Sequence, residues 1–293
     1  MKKLLFIINA VSGKLALEDS LMKVVEIFSK ADYDVNIHLT RVNEDLSGYI
    51  EENGKNYDLI VCCGGDGTLN LVTAAVYKSG HDVRIGYIPG GTTNDFAGSH
   101  RIDTVATGAA LQIAEGIKRN VDLGLLNGKP FVYVAAFGLF TDVSYQTDSG
   151  MKQSMGHAAY VFEGIKSVAK AKAYPMKIES PKGIIEGDFI YGMISNSRRI
   201  GGFELPILQN ILYDDGEMEV TLVRKPKNAQ ETQKLINSFL YQSPDDDMVF
   251  MFKTSSLKIE CGEDIPWSLD GEFGGTFKDV DIKVDSAAVN MIF

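Results

Sequence analysis

From Lys3 to about Asp122, short apolar runs alternate with amphipathic stretches of helical period. This alternation constrains the fold more than any other feature of the chain. KLLFII, YDVNIHLT, DLIVCC and RIGYIPG read as strands. Leu17, Leu21, Val24, Val25 and Phe28 follow a helical stripe, and DLSGYIEEN, LNLVTAAVYKS and TVATGAALQIAEGIK predict further helices. Strands separated by helices of this length predict βαβ units around a parallel sheet.

The texture then changes. PMKIES, GIIEGDFIYGMIS, GEMEVTLVRK, DMVFMFK, SSLKIEC, FKDVDIKV and AVNMIF predict strands. Only two helices interrupt them, near HAAYVFEGIKSVAKAKAY and NAQETQKLINSFLY. That pattern predicts an antiparallel, sandwich-like domain. At 293 residues the chain is long enough for two cores. The expected division is an α/β domain over 1–125 and a β-rich domain over 126–293, with a cleft between them. Whether the last strand returns to the first domain is left open.

Composition narrows the partners. The net charge of −10 argues against nucleic acid, which selects a basic face. An odd count of three cysteines, two of them adjacent, fits a reducing cytosol better than a disulfide scaffold or a zinc site, and all three read as small buried hydrophobes. LLFII is too short for a signal-peptide core, and no run approaches about 18 apolar residues, so no transmembrane segment is expected. The four histidines have no metal-ligand spacing.

Three loops follow strands of the first half: NAVSGK (9–14), GGDGTLN (64–70) and PGGTTNDFA (89–97). Ligands collect at the carboxyl ends of strands in such sheets. Glycines let backbone N–H groups approach an anion, and a following helix N-terminus adds partial positive charge. The P-loop spacing is absent, and GDGTLN breaks the dinucleotide pattern at its last position. The acids Asp66 and Asp95 would repel a bare phosphate, whereas a divalent cation between carboxylate and phosphate reverses the sign. Helix capping is the other reading of each acid. In the second half, WSLDGEFGG (267–275) and YDDGEMEV (213–220) carry acids on D-G turns, which ordinarily mark hairpins.

GGDGTLN followed by PGGTTNDFA resembles the diacylglycerol kinase catalytic domain family, in particular its soluble bacterial lipid kinases, over essentially the whole chain. NAVSGK resembles the family's first element, with Ala10 in place of a proline. Gly98 stands where an arginine is usual. The GGDGT element is shared with NAD kinases and, loosely, with phosphofructokinases. The resemblance implies an ATP- and Mg²⁺-dependent kinase that phosphorylates a lipid hydroxyl, with diacylglycerol giving phosphatidic acid. It implies ATP contacts at Asn9, Ala10, Val11, Ser12, Gly13, Thr40, Gly64, Gly65, Asp66, Gly67, Thr68, Leu69, Asn70, Leu71, Gly91, Thr92 and Asn94. Asp66, Asp95 and Asp122 would form a water-linked network around the catalytic Mg²⁺. Glu272 would accept the proton, with Asp270 assisting or serving as the base. A structural Mg²⁺ or Ca²⁺ would take Asp215 and the carbonyls of Leu212 and Glu217.

A phosphoryl donor site and a positioned base are what such a reaction needs, since a lipid hydroxyl is a poor nucleophile at neutral pH. The implied protein is cytoplasmic and meets its lipid peripherally at a membrane surface. An exposed strand of the second domain is a possible homodimer contact. Two alternatives stay open: a kinase of a soluble substrate such as NAD, and a nucleotide-binding regulatory protein with little catalysis. Arg198 and Arg199 read either as phosphate or head-group contacts or as a solvated loop. TDVSYQTDSGMKQSMG, with the helix after it, is a candidate for membrane approach.

Overall fold

The computed structural model of the chain describes residues 1–139, 168, 171–204, 211–240 and 247–293. The TDVSYQTDSGMKQSMG stretch and nearly all of the helix expected from residue 157 lie outside the described residues. The chain forms two compact units, one of Met1–Leu123 with Ser286–Phe293, the other of Gly124–Asp285.

In the first unit, β1 (Lys2–Ile8), β2 (Tyr33–Leu39), β3 (Leu59–Gly64) and β4 (Arg84–Pro89) pair in parallel in the order β2-β1-β3-β4. Leu4–Ile8 and all of β3 are buried, as a parallel sheet covered on both faces requires. Packed around the sheet are α1 (Ser12–Leu17), α2 (Leu21–Lys30), α3 (Leu46–Asn53), α4 (Asp66–Ser79), α5 (Asp95–His100) and α6 (Ala106–Glu115), with α2 against α6 and α3 against α4. The stripe expected as one helix is broken after Leu17, and α2 restarts at Leu21, burying Val24 and Phe28. The helix expected to begin after Thr68 begins at Asp66 instead. Gly65 stays extended as the residue before the helix, so the glycine turn is tighter than its sequence suggests.

The chain's last residues complete this unit. Met291 and Ile292 pair in parallel with Ile85 and Gly86 of β4. The Phe293 N–H reaches the Ile117 carbonyl at 3.2 Å, and its ring packs edge-on against Phe96 and His100.

The second unit is antiparallel. It comprises β5 (Lys118–Leu126, from Gly124 onward), β6 (Lys129–Phe131), β7 (Val134–Gly138), β8 (Tyr174–Ser180), β9 (Gly183–Ser195), the short pair β10 (Arg199–Ile200) and β11 (Phe203–Glu204), β12 (Met218–Arg224), α7 (Ala229–Leu240), β13 (Val249–Thr254), β14 (Ser256–Leu269) and β15 (Glu272–Ile292, up to Asp285). The sequence predicts a sandwich-like domain; apart from the separate β10-β11 pair, its strands form one continuous hydrogen-bonded set. β9 pairs with β8 along its first half and with β7 and β12 along its second, while β14 pairs first with β8 and then with β7. The cycle β7-β9-β8-β14 therefore closes on itself. The register shift between Glu260 and Ile265 in β14 lets a 14-residue strand bend from one partner to the next. Inside lies a core of Phe131, Phe137, Phe189, Leu222, Leu257 and Trp267, all fully buried.

Cys62, Cys63 and Cys261 are buried and form no disulfide. Burial pushes the Cys63 thiol up to about 12 and Cys62 higher still. At pH 8 only about one Cys63 in 10⁴ would be thiolate. The native protein is expected to react with no thiol-directed disulfide reagent over minutes and to yield three equivalents once unfolded. Rapid native labelling at either adjacent cysteine would contradict the burial.

Candidate functional site

The loops after β1, β3 and β4 are joined by side chains of the residues that the sequence singled out. Asn9 sits at the end of β1. Its Oδ1 accepts the N–H groups of Val11 and Ser12 at 2.9 and 3.1 Å, and its Nδ2 donates to Thr68 Oγ1 at 3.1 Å. The Ala10 N–H donates to Thr40 Oγ1 at 3.1 Å, tying the end of β2 to the same loop. Ser12 and Gly13 belong to the first turn of α1. Val11 is 73 % exposed.

The second and third loops touch through backbone. A Cβ on Gly91 would lie 2.6 Å from Gly65 Cα, closer than real side chains come. Asn94 holds this contact from the left-handed region at φ 50°: its Oδ1 accepts the Gly91 N–H at 2.9 Å and its Nδ2 donates to the Gly91 carbonyl at 2.7 Å. The Tyr87 hydroxyl bridges the Gly64 carbonyl at 3.1 Å and Asn94 Oδ1 at 3.2 Å. Burial, and then the nearby Asp66 carboxylate, keep that hydroxyl protonated far above its ordinary range. Nothing in the sequence marks Tyr87, because a tyrosine in an apolar strand reads as core. Gly91→Ala is expected to push the two loops apart and to weaken nucleotide affinity at least about tenfold, about 1.4 kcal/mol, with a lower Tm. Calorimetric titration with a nucleotide checks this, and unchanged affinity would mean the contact is incidental.

The expected nucleotide residues divide by exposure. The amides of Asp66 and Gly67 stand at the open first turn of α4, whereas Thr68 and Leu69 already donate to the Gly65 carbonyl at 3.0 and 3.2 Å. The Leu69 side chain is fully buried and serves the core, so it offers a ligand nothing. Leu71 and Thr92 are exposed, Asn70 half-buried.

Asp66 and Asp95 are first-turn residues of α4 and α5; the residues preceding those helices are Gly65 and Asn94, so neither acid is an N-cap. The Asp66 carboxylate instead accepts the Asp95 and Phe96 N–H groups at 3.0 and 3.3 Å, fastening the open end of α5 to α4. Asp95 is 2 % exposed. Asp122 is fully buried and accepts the N–H of Ala287, itself in the left-handed region at φ 52°. Among the described residues no group of three or more His, Cys, Asp or Glu is placed to hold a metal directly. Carboxylate oxygens keep lone pairs beyond one amide bond, and Mg²⁺ escorting a nucleotide uses one or two carboxylates with water completing its shell. Asp66, on the glycine loops, fits that role.

In the second unit, the acid pair of WSLDGEFGG separates into two roles. Asp270 and Gly271, at φ 49° and 86°, form the two-residue turn between β14 and β15, with Leu269 opposite Glu272. Asp270 is 3 % exposed, and its carboxylate accepts the N–H groups of Val132, Tyr133 and Val134 at 2.7, 2.9 and 2.9 Å. Glu272 is exposed. The acid turn at 213–220 holds its charge differently. Asp215 Oδ1 accepts the Glu217 N–H at 3.1 Å, and Oδ2 pairs with Lys253 Nζ at 2.9 Å, which also lies 3.0 Å from Glu219 Oε1. Burial alone would lower the Lys253 pKa, and the bonds to Asp215 and Glu219 outweigh it and raise it. A metal at Asp215, Leu212 and Glu217 would have to displace this ammonium.

Residues 3–126 match the diacylglycerol kinase catalytic domain. The chain is 28 % identical over 279 residues to a diacylglycerol kinase of Bacillus subtilis (strain 168), covering 94 % of this chain and 91 % of that one. It is 29 % identical over 296 residues to a diacylglycerol kinase of Staphylococcus aureus (strain Newman), covering 99 % and 94 %. The crystal structure of a diacylglycerol kinase from Bacillus anthracis str. Sterne shares the fold with a TM-score of 0.78 at 22 % identity, covering 100 % of this chain and 97 % of that one. A second structure from that organism superposes with a TM-score of 0.83 at 26 % identity over the same shares.

Proposed function

We propose that this chain, whose residues 3–126 match the diacylglycerol kinase catalytic domain, is a lipid kinase that transfers the γ-phosphoryl group of ATP to a lipid hydroxyl, with diacylglycerol giving phosphatidic acid. The observation that carries the reading is the junction of Gly65 and Gly91. Two glycine loops at adjacent strand ends meet there beside the open first turn of α4 and the Asp66 carboxylate. Backbone donors and a helix N-terminus receive the nucleotide phosphates. Mg²⁺ bound with the nucleotide would neutralise phosphate charge as the phosphoryl group shifts.

The chain's own residues do the rest. Asn9, Thr40 and Thr68 hold the first loop in register with the second. Asn94 and Tyr87 fix the third. Glu272 takes the proton of the acceptor hydroxyl at its carboxylate. Asp270, with both oxygens occupied by backbone donors, acts as the strut that sets the turn from which Glu272 projects. The acceptor is met at a membrane surface, and no described helix is long and apolar enough to cross a membrane.

The test is phosphoryl transfer from radiolabelled ATP with Mg²⁺. Acceptors are diacylglycerol in mixed micelles, other lipid alcohols and NAD, with Asp66→Ala as control. Label in a lipid phosphate that vanishes in the control supports the reading. Label in NADP, or in no acceptor, overturns it.

A further inference from the structure

We propose that Arg198 binds a phosphate monoester, that of the phosphorylated lipid, on the second unit. The identity of that phosphate rests on the lipid-kinase reading; the anion site itself does not. The argument begins with a buried segment. Ser195, Asn196 and Ser197, at the exit of β9, are 0, 2 and 0 % exposed. The Asn196 N–H donates to the Tyr133 carbonyl at 2.9 Å, Asn196 Nδ2 to the Tyr213 carbonyl at 3.3 Å, and Ser197 Oγ to the Arg199 carbonyl at 2.7 Å. The backbone that carries Arg198 is therefore fixed before any ligand arrives, which lowers the cost of binding one.

The guanidinium on this fixed stem is incompletely satisfied. Arg198 is half-buried; Nη2 reaches the Ile211 carbonyl at 3.4 Å, and the group lies over the Tyr213 ring at 5.9 Å. Its Nε is buried with no hydrogen-bond partner. No described carboxylate comes within ion-pair distance of it, although the chain carries 39 Asp and Glu. A nearby acid, Asp215, is engaged by Lys253. A permanently charged, half-desolvated group with a spare donor and no counter-ion among the described residues is unfavourable alone, and the five-donor fork of arginine matches phosphate oxygens two at a time.

Position selects which phosphate. Tyr133, whose carbonyl anchors Asn196, gives its own N–H to Asp270 Oδ1 at 2.9 Å, and Glu272 follows two residues later. One backbone bond and one bond to the Asp270 carboxylate, both within one unit, thus link the Arg198 stem to the turn bearing the acid assigned to the acceptor hydroxyl. The phosphate formed on that hydroxyl is the anion that such an arrangement would retain.

The experiment compares wild type with Arg198→Met and Arg198→Lys by calorimetric titration and by Tm. Ligands are short-chain phosphatidate (dihexanoyl), the matching uncharged dihexanoylglycerol, ADP and inorganic phosphate. Arg198→Met is expected to weaken phosphatidate at least about tenfold, with dihexanoylglycerol and ADP changed less than about twofold. Arg198→Lys, which keeps the charge and loses the fork, is expected to fall between. It also serves as the test should the methionine variant lower Tm. Unchanged phosphatidate affinity in both variants overturns the proposal, as does a loss confined to ADP. Wild-type affinity for inorganic phosphate equal to that for phosphatidate overturns the lipid assignment. If wild type forms no lipid phosphate yet phosphatidate binding still depends on Arg198, the kinase reading fails and the anion site stands.

Discussion

Asp66→Ala is expected to abolish phosphoryl transfer, with kcat lower by at least about 10³-fold. The carboxylate has two tasks. On the proposed reading it serves the metal-bound nucleotide, and in the structure it accepts the first amides of α5, Asp95 N–H and Phe96 N–H. Removing it leaves two N–H groups unsatisfied and frees the loop that carries Gly91 and Asn94. Loss of a charge-assisted pair of this kind costs about 2 kcal/mol of stability. Asp66→Asn separates the tasks. The amide keeps an acceptor for α5 and so most of the Tm, while the missing charge keeps activity low. Turnover within tenfold of wild type in either variant would remove Asp66 from the mechanism.

Glu272→Gln is expected to lower kcat by about 10²- to 10⁴-fold with KM for ATP and Tm nearly unchanged, as loss of the proposed, exposed general base should. Asp270→Ala is expected to act in the opposite way. It strips the partner from three backbone N–H groups in a buried corner and should destabilise the protein by about 3 kcal/mol. A variant that combined normal stability with a large loss of kcat at Asp270, and little loss at Glu272, would exchange their assigned roles. Kinetics with both acceptor and ATP varied, alongside thermal melts, separates these outcomes.

What the sequence disclosed follows from how local each signal is. The helical stripes and apolar runs of the first unit are written in neighbouring residues, and the loops at 9–14, 64–70 and 89–97 announce themselves by composition. The start of α4 at Asp66 was hidden because an acid between glycines reads as loop until the helix beyond it is in place. The D-G turn at 270–271 was legible as a hairpin. The grip of Asp270 on Val132–Val134 was not, since it spans 136 to 138 residues. Asp122 meets Ala287 across 165 residues, beyond any periodicity. In the second unit, alternation of period two locates strands but says nothing about which neighbour each half of a strand chooses. The double pairing of β9 and β14 was therefore out of reach, and with it the closed cycle β7-β9-β8-β14.

The return of Ser286–Phe293 to the first unit makes the second unit an insertion within the first. A ribosome delivers β4 long before the residues that pair with Ile85 and Gly86. During synthesis β4 waits with an open edge, while all the strands of the inserted unit have already emerged. Closing that edge joins elements about 200 residues apart, a slow, high-contact-order event. The glycine loops that follow β3 and β4 therefore rest on a sheet whose β4 edge is closed by residues 291–292.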